Sequence, residues 1–199
     1  MSKHSIAELI RNHYPDYYKW ESYPADQCAC IHKVNEEWGI LSNFGETPLT
    51  VDGVTFVNVE QLFQMMKFRD PAPLMELYKN KGLGIKMKAK KWENDNHRRD
   101  DWGEMLVDAV KFCLMQKYEQ CPAFREKLLS SKGKFIVEDQ TANHKKSPDT
   151  WGVKRKGDAF EGPNLLGRLL MELRDNGTLT YHLPDDALAF IDVVRNMEK

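Results

Sequence analysis

Apolar positions recur at helical spacing along much of this chain, and the firmest instance runs from Asn58 to Arg69, NVEQLFQMMKFR. Val59, Leu62, Phe63 and Met66 fall at i, i+3, i+4 and i+7, the spacing of a core-facing stripe, behind Asn58 as N-cap with Gln61 three residues later. Glu60, Gln64 and Lys67, at i, i+4 and i+7, share a narrow polar seam that Phe63 and Phe68 border, while Met65 lies on another side. The seam fits two readings. It is either a surface salt bridge on a helix with a wide apolar face, or the wall of a cleft whose dry surroundings strengthen its polar interactions. Periodicity alone leaves both open.

The same criterion predicts a long helix over Glu104 to Gln120 on Leu106, Val110, Cys113 and Leu114, and another from Pro122 through Ser130. Asn164 opens a helix striped by Leu166, Leu169, Leu170 and Leu173, in which Gly167 allows a close backbone approach. Shorter helices are predicted at Ser5 to His13, from Pro73 or Leu74 to Tyr78, and in the tail from Pro184 with Leu188, Ile191 and Val194. Strand patterns occupy Cys28 to Val34, Lys134 to Glu138 and the two halves of LTVDGVTFV, whose Asp52-Gly53 suits a type I′ hairpin turn. The aromatic tract around Tyr14 to Tyr23 reads as an arm packed on the domain, with an interaction surface as the alternative, and Gly152 is followed by the basic KRKG and then the loop DAFEGP. These elements make an α+β, mainly helical fold: one compact domain with a small hairpin or sheet and added terminal segments.

At 199 residues the chain suits one sizeable domain with terminal additions. With Lys and Arg at 29 against Asp and Glu at 30, no global field recruits a polyanion, so basic clusters are judged singly. The lysines at 79, 81, 86, 88, 90 and 91 read as a solvated run. Cys28, Cys30, Cys113 and Cys121 form no Cys-x-x-Cys pair and the histidines are scattered, which argues against a zinc site. No apolar leader and no run of ~20 apolar residues appears, so a cytoplasmic protein with reduced thiols and no membrane partner is expected. Trp92 and Trp151 are either core or flat surfaces for stacking a base, worth ~1 to 3 kcal/mol each where base stacking occurs. If Asn164 caps its helix, the free N–H groups there offer a phosphate site that Lys154, Arg155 and Lys156 would reinforce.

Several motifs in fixed order carry a resemblance: Trp38-Gly39 with Leu41-Ser42-Asn43-Phe44, then the hairpin and EQLFQMMK, then Lys-Lys-Trp-Glu around Trp92, then DTWG leading to NLLGRLLMELR. Together they resemble the NADAR family of YbiA-like proteins over roughly Ile31 to Asp175. On that basis residues 31–175 form the catalytic domain, 1–30 an N-terminal helix and aromatic arm, and 176–199 a C-terminal amphipathic helix packed on the domain. The resemblance implies an N-glycosidase that binds ADP-ribose-like or ribosyl-phosphate compounds, with no metal or redox cofactor. It places Asn43, Phe44, Gln64, Trp92, Trp151 and Asn164 at the substrate, and Glu60, Lys67 and Asp149 in catalysis. Glu60 is the principal carboxylate, since cleaving a sugar–base bond needs negative charge near the sugar and a base to orient water. Lys67 would hold a phosphate or keep Glu60 ionised. The implied substrate is ADP-ribose on guanine in nucleic acid. Phosphorylated ribosylamino-pyrimidine intermediates of riboflavin synthesis are the alternative, and a non-catalytic ADP-ribose- or NAD-binding module is the reading from a different class.

Overall fold

The computed structural model describes residues 5–197, so the outermost positions of the terminal segments expected at 1–30 and 176–199 lie outside the described residues. The α+β, mainly helical class expected from the sequence is what forms, with eight α-helices and three small sheets among the described residues. Two compact units, each discontinuous in sequence, make up the chain: Met1–Ser42 with Pro122–Leu179, and Asn43–Cys121 with Thr180–Lys199.

The first unit opens with α1, Ile6–His13, started by a capping box in which the Ser5 hydroxyl accepts from the Glu8 N–H and the Glu8 carboxylate accepts from the Ser5 N–H. β1 (Glu21–Pro24) pairs antiparallel with β7 (Ala159–Gly162), which pairs with β6 (Lys154–Lys156). The basic KRKG and the stretch read as the loop DAFEGP thus form a hairpin, turned at Gly157 with φ +59°. β2 (Cys28–Ile31) runs parallel to β5 (Phe135–Glu138), between whose sequences lies α6, Pro122–Ser130. α7, Leu165–Asn176, packs on β5 at Gly167, where an added Cβ would lie 2.1 Å from the Ile136 carbonyl oxygen, so only glycine permits the approach. The aromatic tract is tied to α7: the Tyr17 hydroxyl donates to Glu172 at 2.9 Å, and Arg168 donates to the carbonyls of Asp16 and Tyr17.

In the second unit, β3 (Leu49–Val51) and β4 (Val54–Phe56) form the expected hairpin, with Asp52 at φ 48° and Gly53 at φ 80°. Both central residues have the positive φ a type I′ turn demands. The hairpin leads into α2, Val59–Met65, where the Asn58 Oδ1 accepts from the Gln61 N–H at 3.0 Å. The Gln61 side chain serves a different purpose from a capping box. Its Oε1 accepts from the Val57 N–H and its Nε2 donates to the carbonyls of Leu77, Tyr78 and Asn80, locking α2 to the end of α3, Pro71–Lys79. The lysine-rich run read as solvated surface folds as α4, Ile85–Asn94, which buries Ile85, Ala89 and Glu93. α5, Trp102–Gln120, is the longest helix, and α8, Phe190–Met197, packs on α3 and β4, with Phe56 meeting both Tyr78 and Phe190. Every residue of α2 is buried. No helix among the described residues is long and apolar enough to cross a membrane.

Lys117 on α5 is fully buried, and burial pulls its pKa from 10.5 down to about 7. The unfolded chain therefore binds more protons than the folded one between pH 7 and 10.5, so stability rises with pH across that window. Below pH 7 both states are protonated and the full penalty applies. At 1.36 kcal/mol per tenfold change, the rise is on the order of 5 kcal/mol. We expect Lys117→Met to remove this rise, as read from urea unfolding at pH 7 and pH 10; an unchanged slope would assign the pH dependence to other groups.

Candidate active site

The N-terminus of α2 and the chain beside it position a carboxylate in a dry setting. The Glu60 N–H donates to the Asn43 carbonyl at 2.9 Å, which fixes the Asn43-Phe44 segment alongside the helix start. The Glu60 side chain belongs to a residue only 2% exposed. One turn on, Gln64 donates its Nε2 to Glu60 Oε1 at 2.7 Å. The Lys86 ammonium, from α4, lies 3.8 Å from the same oxygen and 4.9 Å above the centre of the Phe44 ring. The contacts on the carboxylate thus converge on Oε1. Two amide oxygens of the group, Asn43 Oδ1 and Gln64 Oε1, are buried with no hydrogen-bond partner among the described residues. A buried acceptor left unpaired costs about 1 to 3 kcal/mol, so both are positions where a donor from a ligand gains the most.

The surface salt-bridge reading of the polar seam is overturned. All three members are buried, and Lys67 pairs elsewhere. The reason lies in the partner that α4 supplies. After Met65 the chain tightens, with the Lys67 N–H donating to Gln64 and the Phe68 N–H to Met65, three residues back instead of four, a winding that by itself keeps Lys67 on the Gln64 side of the helix. Its ammonium instead donates to Glu93 Oε1 at 2.7 Å and lies 5.7 Å from the ring centres of both Phe63 and Trp102. Phe68 is buried, and its backbone bridges to Arg98. Burial lowers the Lys67 pKa, a drop that Glu93 opposes. Burial alone would raise that of Glu93, but the Lys67 charge and hydrogen bond, helped by Arg98 and Lys90, bring it below the ordinary carboxylate value. The result is an ionised pair in the interior.

Glu93, Lys86 and Trp102 are site neighbours that the sequence reading did not single out. For α4 a signal existed: Lys86, Ala89 and Glu93 stand at i, i+3 and i+7, one face of a helix. Trp92, the residue chosen from the same motif, points toward α3, where its indole N–H donates to Glu76 at 2.8 Å and His97 meets its ring at 4.9 Å. It is half-buried there.

The remaining predicted residues belong to the other unit. Asp149 is exposed and closes a turn: its Oδ1 accepts from Gln140 Nε2 at 2.6 Å and from the Trp151 N–H at 2.9 Å, and its own N–H donates to Gln140 Oε1. Trp151, at the end of that turn, is half-buried. Asn164 is buried with φ 49° and does not cap α7 with its side chain. Its amide bonds the β5 backbone instead, accepting from the Glu138 N–H and donating to the Ile136 carbonyl. The expected phosphate site at the α7 N-terminus is corrected too. The N–H groups of Asn164, Leu165 and Leu166 donate to the carbonyls of Gly152, Thr150 and Trp151, so they are spent within the fold. Lys154 donates to the Asn143 carbonyl, Lys156 pairs with Glu161 at 2.7 Å, and the Arg155 guanidinium lies over Phe160, so the three basic side chains do not converge. Among the described residues no group of three His, Cys, Asp or Glu side chains is placed to hold a metal.

Comparison with known proteins yields a consistent set. The NADAR domain model matches residues 30–176. N-glycosidase YbiA of Escherichia coli is 30% identical over 152 residues, 75% of this chain and 88% of that protein. The NMR structure of E. coli YbiA is similar with a TM-score of 0.60 at 28% identity, covering 76% of this chain and 84% of that one. A riboflavin biosynthesis protein of Vibrio vulnificus is 26% identical over 167 residues, 84% of this chain and 42% of that protein.

Proposed function

Because this chain belongs to the NADAR domain family, as its ordered motifs imply, we propose that it is an N-glycosidase that hydrolyses the bond between a ribose and a base, with Glu60 as its catalytic carboxylate. The observation that carries the assignment is the buried Glu60, held through Oε1 by Gln64 and flanked by the unpaired amide oxygens of Asn43 and Gln64. Ribose supplies hydroxyl donors, which satisfy both amides and bring the anomeric carbon to the carboxylate. With Oε1 occupied, Oε2 takes a proton from water as the water oxygen bonds to that carbon. The carbon–nitrogen bond breaks with its electron pair moving to the base nitrogen, which takes up the proton that Oε2 received from water, so the carboxylate is regenerated. Negative charge in water-poor surroundings stabilises the oxocarbenium-like state that forms on the way. Phe44 offers an apolar face at the same site. Lys67 and Glu93 act as positioning residues that hold the end of α2 and set the field around Glu60. Asp149 is assigned to closing its turn rather than to chemistry, because both Gln140 and Trp151 draw on its Oδ1.

For the substrate we propose ADP-ribose linked to guanine in nucleic acid. The second reading, a phosphorylated ribosylamino-pyrimidine, is favoured by one observation, the riboflavin-biosynthesis name of the Vibrio relative. Incubating the purified protein with guanine-ADP-ribosylated DNA and, separately, with the ribosylamino-pyrimidine phosphate, then identifying products by mass, separates them. We expect release of free base and a ribose hydrolysis product from one substrate. Binding of ADP-ribose with no release from either would make the protein a binding module and end the enzyme reading.

A further inference from the structure

The residues from Thr180 onward belong to the unit that holds Glu60, yet they lie beyond residues 30–176, the stretch matched to the family. Buried groups stitch this tail to the rest of the unit. Ala187, Phe190, Ile191 and Val194 are buried, and the Lys111 ammonium donates to the Thr180 carbonyl at 3.1 Å. The densest attachment is at Asp186, in the turn before α8. Its Oδ1 accepts from Arg99 Nη2 at 2.8 Å and its Oδ2 from Arg69 Nε at 2.9 Å. Asp101 meets the same two guanidiniums, with two bonds from Arg99 at 2.6 and 2.7 Å and one from Arg69 at 3.3 Å. Two cations and two anions thus close a ring of zero net charge around an Arg99 side chain that is 1% exposed.

The ring grips the end of α2. Arg69 follows Lys67 and Phe68 directly, the Arg99 N–H donates to the Lys67 carbonyl at 2.9 Å, and Phe68 and Arg98 form an antiparallel backbone bridge. Arg98 also stands 3.8 Å from Glu93, the partner of Lys67. α2 is only seven residues long and carries Glu60 near its start, so a shift at one end is transmitted to the other. We infer that Asp186 is a positioning residue for the reaction: by closing the ring on Arg69 and Arg99 it pins the C-terminal end of α2, and so sets where Glu60 and Gln64 meet the ribose. This rests on the Glu60 reading of the site. Without Asp186 the two guanidiniums share one carboxylate and carry an excess positive charge. Arg99 stays on Asp101 through its paired bonds, and Arg69, the half-exposed member, turns to solvent. The backbone from Lys67 to Arg69 then loses one of its holds, and a misplacement of about 1 Å at a reacting centre costs up to about 10²-fold in rate. A second tail contact, from Arg195 to the Asp52 carbonyl, is made to the β3–β4 turn and not to α2.

Kinetics on the N-ribosyl substrate, run well below each melting temperature, separate positioning from mere stability. Asp186→Ala is expected to lower kcat about tenfold while KM stays within about twofold, and Asp186→Glu, which still reaches both guanidiniums, to restore most of it. Arg195→Ala, which releases the tail elsewhere, is expected to leave kcat unchanged. Amide hydrogen exchange without substrate gives a second readout. The Arg99 N–H, bonded to the Lys67 carbonyl, should exchange about tenfold faster in Asp186→Ala and at the wild-type rate in Arg195→Ala. Wild-type kcat in folded Asp186→Ala, an equal loss of kcat in Arg195→Ala, or unchanged exchange at Arg99 overturns the inference. A wild type that turns over neither substrate fails the glycosidase reading and with it this role in the reaction, whereas an active wild type with an indifferent Asp186→Ala fails this inference alone.

Discussion

Glu60→Gln is expected to lower kcat on the N-ribosyl substrate by about 10² to 10⁴-fold, the range typical for loss of a positioned acid–base group. The substitution preserves shape and leaves an acceptor for Gln64, which now donates to Glu60 Oε1 at 2.7 Å. It removes only the charge and the ability to take a proton. Substrate affinity should therefore change far less than kcat, because Asn43 Oδ1 and Gln64 Oε1 still accept from the ribose. Thermal stability should hold or rise, since a neutral amide is cheaper to bury than a carboxylate. Steady-state kinetics with a parallel melting curve makes the test. A folded Glu60→Gln protein with kcat within a few-fold of wild type would remove Glu60 from the chemistry.

The second large effect is structural. Glu93→Ala should destabilise the protein by about 3 to 5 kcal/mol, because it strands the Lys67 ammonium in the interior with its partner gone. Lys67 is 5% exposed and Glu93 8%, so water cannot compensate the loss as it does for a surface pair such as Arg195 with Asp192. Replacing both partners by apolar residues, Lys67→Met with Glu93→Leu, should recover most of the stability while impairing kcat, if the pair serves the site. Urea unfolding of the three variants measures this. The pH dependence has a definite sign. Glu93 titrates below its ordinary 4.5 when folded, so its contribution is complete above that value and is lost as pH falls through the lower folded one. Lys67, also lowered, acts oppositely: as pH rises through its folded pKa toward 10.5, the folded state gains. Acid should therefore weaken the wild type through Glu93, and Glu93→Ala should lose that limb.

What could be read from the chain alone was local. Glu60 and Gln64 stand four positions apart, about one helical turn, and periodicity places both on one face whatever surrounds them. The Asp52-Gly53 turn is equally local, because two consecutive positive φ angles restrict the residues that fit. The order of the motifs added the family, since several short patterns in fixed sequence are far more specific than each alone. The basic hairpin after Gly152 escaped because its strands are three and four residues long and charged, too short for alternation to register.

Tertiary structure decided everything that joins distant residues. Lys67 meets Glu93 across 26 positions, and its ammonium pairs there and not with Glu60 because α4 brings a buried carboxylate to 2.7 Å from it, a partner that no periodicity count contains. The parallel pairing of β2 with β5 spans more than a hundred residues and determines where the Asn164 amide is spent, on the β5 backbone. Burial itself is of this kind. Side-chain spacing can say that Glu60, Gln64 and Lys67 are near one another, but only packing on all sides of α2 removes water from them. That removal turns an ordinary polar stripe into a carboxylate with one oxygen held, two amides awaiting donors and a cation kept one ion pair away.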